Sequence, residues 1–124
     1  TRELSEPMAA RLTQIDYDRE MCFVVEDPDG AGELMAGARI VCDADGDDAE
    51  YAVSVRSDLK RLGLGRIVLG RVLEHARERG VRRVWGSVLA ENRPMLALAD
   101  RMGMRRERDP DEPDVVKTVI DFAA

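Results

Sequence analysis

The sequence predicts an α+β domain, and three observations predict it. Two apolar runs, 20–26 and 34–42, flank the dense turn signal "DPDGAGE" and read as an antiparallel hairpin. Stretches with helical spacing of apolar residues then alternate with strand-like runs at 51–55 and 81–89. A last run, "VVKTVIDF" at 115–122, alternates with the period of a strand. The order is β-β-β-α-β-α-β-β. Such an order makes hairpins first and then a helical crossover between two parallel strands: a mixed, mostly antiparallel sheet flanked by helices.

Each element has a local cause. From Ser5 to about Leu12 a short helix is expected, with Ser5 its N-cap. "EMCFVVE" (20–26) and "LMAGARIVC" (34–42) are the hairpin strands. "DADGDDAE" (43–50) is a turn. Its alternating acids resemble a calcium loop, but Asp48 stands where such a loop needs glycine and Ser54 where it needs a bidentate Glu. A hydrated turn is the expectation, and no metal. "YAVSV" (51–55), prefaced by Glu50, is the third strand. From Ile67 the apolar residues Val68, Leu69, Val72, Leu73 and Ala76 fall on one helical stripe, which Gly80 closes. "VRRVWGSVL" (81–89) is a strand with Trp85 read as core. "ENRPMLALADRMG" (91–103) is a helix with Asn92 as cap and Pro94 in its first turn. A short strand around Met104 to Arg106 is placed to pair with the last one. His75 reads as a helix-surface residue.

Composition narrows the function. The 124 residues suit one domain, here residues 1–124, able to bury roughly two thirds of its unfolded surface. Aromatics are only 4%, so aliphatic side chains must fill the core. No stretch reaches the ~20 apolar residues of a membrane span and no signal peptide is visible, so no membrane is expected. The first residue is Thr1, which fits a domain excised from a longer polypeptide. Cys22 and Cys42 lie in apolar runs without metal or redox spacing, which suits two buried thiols in a reducing, cytoplasmic setting. The net charge of −6 argues against nucleic acid. It is unevenly spread: nine Arg or Lys between 56 and 83 face three acids, leaving that stretch at +6 and the remainder at −12. A basic island in an acidic protein fits an anionic ligand held at one place, and equally a solvated helix face laced with Glu–Arg pairs.

Within the island, "SDLKRLGLGR" (57–66) joins a strand to a helix. A dinucleotide fingerprint would need a third glycine at 68, where Val68 stands, and a P-loop would need Gly-Lys-Ser/Thr, which is absent. What remains is an anion cradle. Without Cβ atoms at 63 and 65, backbone N–H groups converge at a helix start whose dipole points the same way, with Lys60, Arg61 and Arg66 adding charge.

Lys60-Arg61-Leu62-Gly63-Leu64-Gly65 resembles motif A of the GNAT acetyltransferase superfamily, Gln/Arg-x-x-Gly-x-Gly/Ala, which in that family wraps the pyrophosphate of acetyl-CoA. Lys60 departs from the motif, keeping charge without the guanidinium fork. "ENRPMLALADRMGM" (91–104) is similar to the family's motif B, with Gly103-Met104 in place of its Gly-aromatic pair. More narrowly, "LTQIDYDREM" (12–21), "AEYAVSVRSDLKRLGLG" (49–65) and "VLAENRPMLALADRMGM" (88–104) resemble the GNAT domain of bacterial Pat-type protein lysine acetyltransferases. The resemblance implies a GNAT fold lacking the family's first strand and helix, so that the chain opens in the second helix. It implies acetyl-CoA as cosubstrate. The implied partner is an AMP-forming acyl-CoA synthetase, acetylated on its catalytic lysine, and in such proteins the domain is often fused to an acyl-CoA-synthetase-like domain.

It also implies roles. Glu50, ten residues before Lys60, is the general base, on one face with Ala52 and Ser54. Val53, Ser54 and Val55 lend backbone groups to pantetheine and to the thioester carbonyl. Lys60, Arg61, Leu62, Gly63, Leu64, Gly65 and Arg66 form the pyrophosphate cradle, and Asn92 either bonds the pantetheine arm or only caps its helix. Ala99 stands where many relatives have a tyrosine that reprotonates the thiolate. Asp16, Tyr17, Asp18 and Arg19 border the acceptor groove. The competing readings are a GNAT acting on a small amine or a protein N-terminus, and a non-catalytic acyl-CoA-sensing domain.

Overall fold

The computed structural model of the chain describes residues 12–16, 20–26, 34–56 and 63–122. Seven strands form one sheet: β1 (Leu12–Asp16), β2 (Glu20–Glu26), β3 (Leu34–Cys42), β4 (Asp48–Val55), β5 (Arg83–Leu89), β6 (Arg105–Arg108) and β7 (Val115–Asp121). Their order is β1-β2-β3-β4-β5-β7-β6. Every neighbouring pair is antiparallel except β4–β5, which is parallel. Helix α1 (Leu64–Glu78) crosses from β4 to β5, and helix α2 (Arg93–Arg101) leads from β5 to β6.

Period-2 alternation sorts the sheet into two faces. Met21, Phe23, Ala38, Ile40, Ala49 and Tyr51 turn one way and are buried. They meet the buried stripe of α1, Leu64, Val68, Leu69, Val72, Leu73 and Ala76, as one aliphatic core. Beside it, Leu96 of α2 packs with Val88 and Val116 in a smaller cluster. Full burial of each Val, Leu, Ile, Phe or Met among them contributes about 1.5–3 kcal/mol, which is why the helical stripe is so legible in the sequence.

Both helices stop in the same way. Gly80 (φ 84°) and Gly103 (φ 85°) take the left-handed conformation that side chains resist. After α1, Gly80 N donates to Arg77 O (3.1 Å) and Val81 N to Ala76 O (3.0 Å). After α2, Gly103 N donates to Asp100 O (3.1 Å) and Met104 N to Ala99 O (3.0 Å). These are Schellman closures, and the buried partners Val81 and Ala76, then Met104 and Ala99, complete them.

Several expectations need correction. Leu12–Asp16, which begins where the expected first helix ends, is a strand antiparallel to β2, with Leu12 opposite Val25 and Asp16 opposite Met21. Five residues with only two strong apolar positions carry little period-2 signal, and the pairing supplies the order. The rest of the expected first helix lies outside the described residues. β4 begins at Asp48 rather than at 50 or 51. The turn before it closes tightly, Asp43 N to Asp48 O at 2.8 Å and Asp47 N to Asp43 Oδ1 at 3.1 Å, and pairing resumes at once. Cys22 and Cys42 are free but half-buried rather than buried, and burial raises the Cys22 thiol, with Glu20 adding to the rise. His75 is half-buried, not a surface residue: its ring meets Phe23 edge-on at 5.9 Å, and its Nε2 is buried with no hydrogen-bond partner among the described residues.

Candidate active site

The parallel pairing of β4 and β5 lasts three rungs: Asp48–Arg83, Ala49–Val84 and Glu50–Trp85. Beyond Glu50 the strands part. β4 stays in register with β3 as far as Val55–Ala36, and β5 stays with β7 as far as Leu89–Val115. A wedge therefore opens between the carboxyl halves of two adjacent parallel strands, the place where open sheets with crossover helices hold ligands.

Beyond Glu50 the edge of β4 facing the wedge has no ladder partner among the described residues. Arg56 N donates to Met35 O on β3 at 2.9 Å. Main-chain direction alternates along a strand, so Ser54 and Ala52 also turn their backbone to β3, while Val53 and Val55 turn theirs to the wedge. Unpaired main-chain groups at such an edge call for an amide-bearing partner. Of Val53, Ser54 and Val55, it is thus the two valines that present backbone groups; Ser54 instead exposes its side chain on the face away from the helices.

At the mouth of the wedge lies the start of α1. Gly63 is its N-cap, with φ 79°, and contributes no side-chain oxygen; the first turn carries no acid. Its free N–H groups and positive dipole end favour an anion. Leu64 is buried, Gly65 half-buried, and Arg66 is exposed in that same turn. A Cβ on Gly65 would come within 3.2 Å of Leu98 Cδ2 and 3.4 Å of Val55 Cγ2. A side chain there would therefore have to push the Leu98 tip back by a few tenths of an ångström, so the glycine lets the helix start sit close to the end of β4 and to α2. Lys60, Arg61 and Leu62, and likewise Tyr17, Asp18 and Arg19, lie outside the described residues. Asp16 ends β1.

Asn92 is the N-cap of α2, its Oδ1 accepting from Met95 N at 3.3 Å. The carbonyl side of the amide is engaged as a cap, and its NH₂ remains as a donor on an exposed residue. Ala99 is fully buried in α2. Glu50 is exposed at the last rung of the wedge, on the face away from the helices. Among the described residues no cation pairs with it.

The wedge holds two features that the sequence did not disclose. First, Tyr51 crosses from β4 over β5. Its ring occupies the space above Gly86, where a Cβ would sit 2.5 Å from Cε1, and its hydroxyl meets Thr118 Oγ1, which donates to Gly86 O at 3.2 Å. Burial pushes the Tyr51 phenol up, with the Thr118 contact opposing the shift. A tyrosine and a lone glycine 35 positions apart give no sequence signal of contact. Second, Trp85 is not core. It is half-buried on the open face beside Glu50 and carries Lys117 Nζ 4.8 Å above its ring.

The residues present fit a CoA thioester: an acid-free helix start for pyrophosphate, an unpaired strand edge for the amides, and a carboxylate at the inner end. The Acetyltransferase (GNAT) family model matches residues 2–104. The chain is 30% identical over 112 residues to "Acetyltransferase PA5475" of Pseudomonas aeruginosa, covering 90% of this chain and 60% of that protein. It is 30% identical over 122 residues to "Acetyltransferase Pat" of Mycolicibacterium smegmatis, covering 97% of this chain and 35% of that protein. It thus spans less than two thirds of either relative. Among solved structures, the GNAT domain of S. lividans PAT superposes with a TM-score of 0.73 at 28% identity, covering 96% of this chain and 70% of that one. The cAMP-binding acyltransferase from Mycobacterium smegmatis superposes at 0.71 and 30%, covering 88% and 33%. With the splayed β4–β5 pair, the glycine-started crossover helix and this family match in agreement, the chain belongs to the acetyltransferase (GNAT) family.

Proposed function

We propose that this domain acetylates the ε-amine of a protein lysine, the active-site lysine of an AMP-forming acyl-CoA synthetase, using acetyl-CoA and Glu50 as general base. The observation that carries the reading is the position of Glu50 at the last paired rung before the strands part. A carboxylate there stands beside the point where a thioester lying in the wedge would end, on the face open to a second substrate.

The chemistry follows from protonation. Free lysine has a pKa near ~10.4 and must lose a proton to become a nucleophile. Glu50 takes that proton, directly or through one water. Acetyl-CoA supplies an activated carbonyl carbon and a thiolate leaving group. The backbone of Val53 and Val55 lies along the arm that carries them, polarising and aligning it. Gly63, Leu64 and Gly65 offer N–H groups to the pyrophosphate, joined by Arg66 and by the sequence neighbours Lys60, Arg61 and Leu62. Asn92 reaches the pantetheine arm with its NH₂. With Ala99 buried in the motif B helix, no tyrosine there returns a proton to the thiolate. Asp16, Tyr17, Asp18 and Arg19 border the acceptor side. The likeness to one curated relative named Pat and to the S. lividans PAT domain supports this reading, because the motifs resemble those of Pat-type protein lysine acetyltransferases.

The direct test is mass spectrometry of purified AMP-forming acyl-CoA synthetases incubated with the domain and acetyl-CoA. Stoichiometric acetylation of the catalytic lysine is the expected result. Turnover on small amines with no protein lysine modified would replace this reading, and acetyl-CoA binding without any turnover would make the domain a sensor.

A further inference from the structure

Glu50 and Trp85 face each other across the last parallel rung. Register partners in parallel strands lie ~4.8 Å apart and point to the same face of the sheet. Trp85 therefore stands beside the carboxylate on the side away from both helices, half-buried, with its ring available to a cation. A cation is already there. Lys117, on β7, lies in register with Ser87 on β5 and with Glu107 on β6. Glu107 is the carboxylate directly opposite it, yet Glu107 pairs with Arg83 (3.6 Å) and Arg105 (3.0 Å), while Lys117 leans diagonally to place Nζ 4.8 Å from the Trp85 ring centroid. The indole, on the strand next to that of Glu50, thus holds an ammonium group that comes to it from the opposite side, from β7.

We propose that the Trp85 ring is the subsite for the acceptor lysine arm, with Lys117 occupying it until the acceptor arrives. The proposal deepens the lysine reading above and rests on it for the identity of the acceptor. An indole suits this role in two ways. Its apolar face covers the methylene stem of a lysine, and its π-face attracts the ammonium. The attraction disappears when the amine becomes a neutral amide, so the ring favours substrate over product. Trp85 is then a positioning residue: it brings the ammonium to Glu50 and takes no proton itself.

Trp85 is the only tryptophan in the chain, so intrinsic emission reports on this subsite alone. The probe is a capped Gly-Lys-Gly peptide, compared with the same peptide bearing Nε-acetyl-lysine. The lysine peptide should change Trp85 emission saturably and the acetylated one should not. Lys117→Met, by removing the resident cation, should tighten the apparent Kd about three-fold. In turnover, Trp85→Ala should raise the peptide KM about five-fold with the acetyl-CoA KM unchanged, and Trp85→Phe should recover most of the loss. Equal emission changes with both peptides, no change with either, or an unaltered peptide KM in Trp85→Ala would overturn the subsite. Peptide that binds by emission while neither it nor any lysine of an acyl-CoA synthetase is acetylated would leave the subsite standing and sink the lysine acetyltransferase reading.

Discussion

The ring of Tyr51 fills the space over Gly86 so completely that a Cβ there would lie 2.5 Å from Cε1 and 2.8 Å from Cδ1. The contact joins β4 to β5 just beyond the rung at which their hydrogen bonding ends. A buried side chain thus holds the inner end of the wedge where the main chain no longer does. Gly86→Ala must displace that ring and break the Tyr51–Thr118 hydrogen bond. A cost of about 1–3 kcal/mol is expected for such overpacking, read as a lower midpoint in denaturant unfolding. Tyr51→Phe, which leaves Thr118 bonded to Gly86 O, should cost about 1 kcal/mol. Equal stability of Gly86→Ala and the parent would show that the ring is not held there.

Glu50→Gln keeps the shape of the side chain and removes its basicity. Acetyl transfer to lysine should fall about 10²-fold or more, while acetyl-CoA affinity by calorimetry stays within about two-fold, because the proposed role of Glu50 is to take a proton from the acceptor and not to hold the cosubstrate. Unchanged turnover would remove Glu50 from the mechanism.

Asn92 allows its two roles to be separated. Asn92→Asp retains an oxygen for Met95 N and so keeps the cap, whereas Asn92→Ala loses it at a cost of about 1 kcal/mol. If the NH₂ serves the pantetheine arm, both variants raise the acetyl-CoA KM and only Asn92→Ala lowers stability. A normal KM in Asn92→Asp would leave Asn92 as a cap and nothing more.

Alkaline pH should destabilise the fold through two groups. Burial raises both the Tyr51 phenol and the Cys22 thiol. For an acid whose folded pKa lies above its unfolded value, the stability is fully present below the unfolded pKa and is lost as pH rises through the folded one. The window therefore opens at about 8.5 for the thiol and about 10 for the phenol. Thermal midpoints should fall from pH 9 upward, and Tyr51→Phe should flatten the part of the fall above about 10. An identical slope in Tyr51→Phe would mean that other groups carry it.

Much of this molecule was readable from composition and spacing. The stripe Val68–Leu69–Val72–Leu73–Ala76 marks α1 because the helix buries one face against aliphatic strands. Gly80 and Gly103 mark helix ends because only glycine takes φ near +85° at little cost. The Gly63-Leu64-Gly65 start and Asn92 stand out for similarly local reasons. β1 was not readable: five residues without a strong pattern become a strand only because β2 offers them an edge. Nor was the half-burial of Cys22 and His75, which depends on what packs above each side chain.

The sequence by itself determined the alternation of strands and helices, the crossover between parallel strands and a glycine-marked helix start, since each depends on neighbours within a turn or a rung. Tertiary structure alone decided where β4 and β5 part, that Tyr51 lies over Gly86, and that Trp85 shares an open face with Glu50 and Lys117. Those relations join residues 35, 35 and 32 positions apart or more, and no local period records them. They arise because strands distant in the chain must share one register, and the register sets which side chains meet.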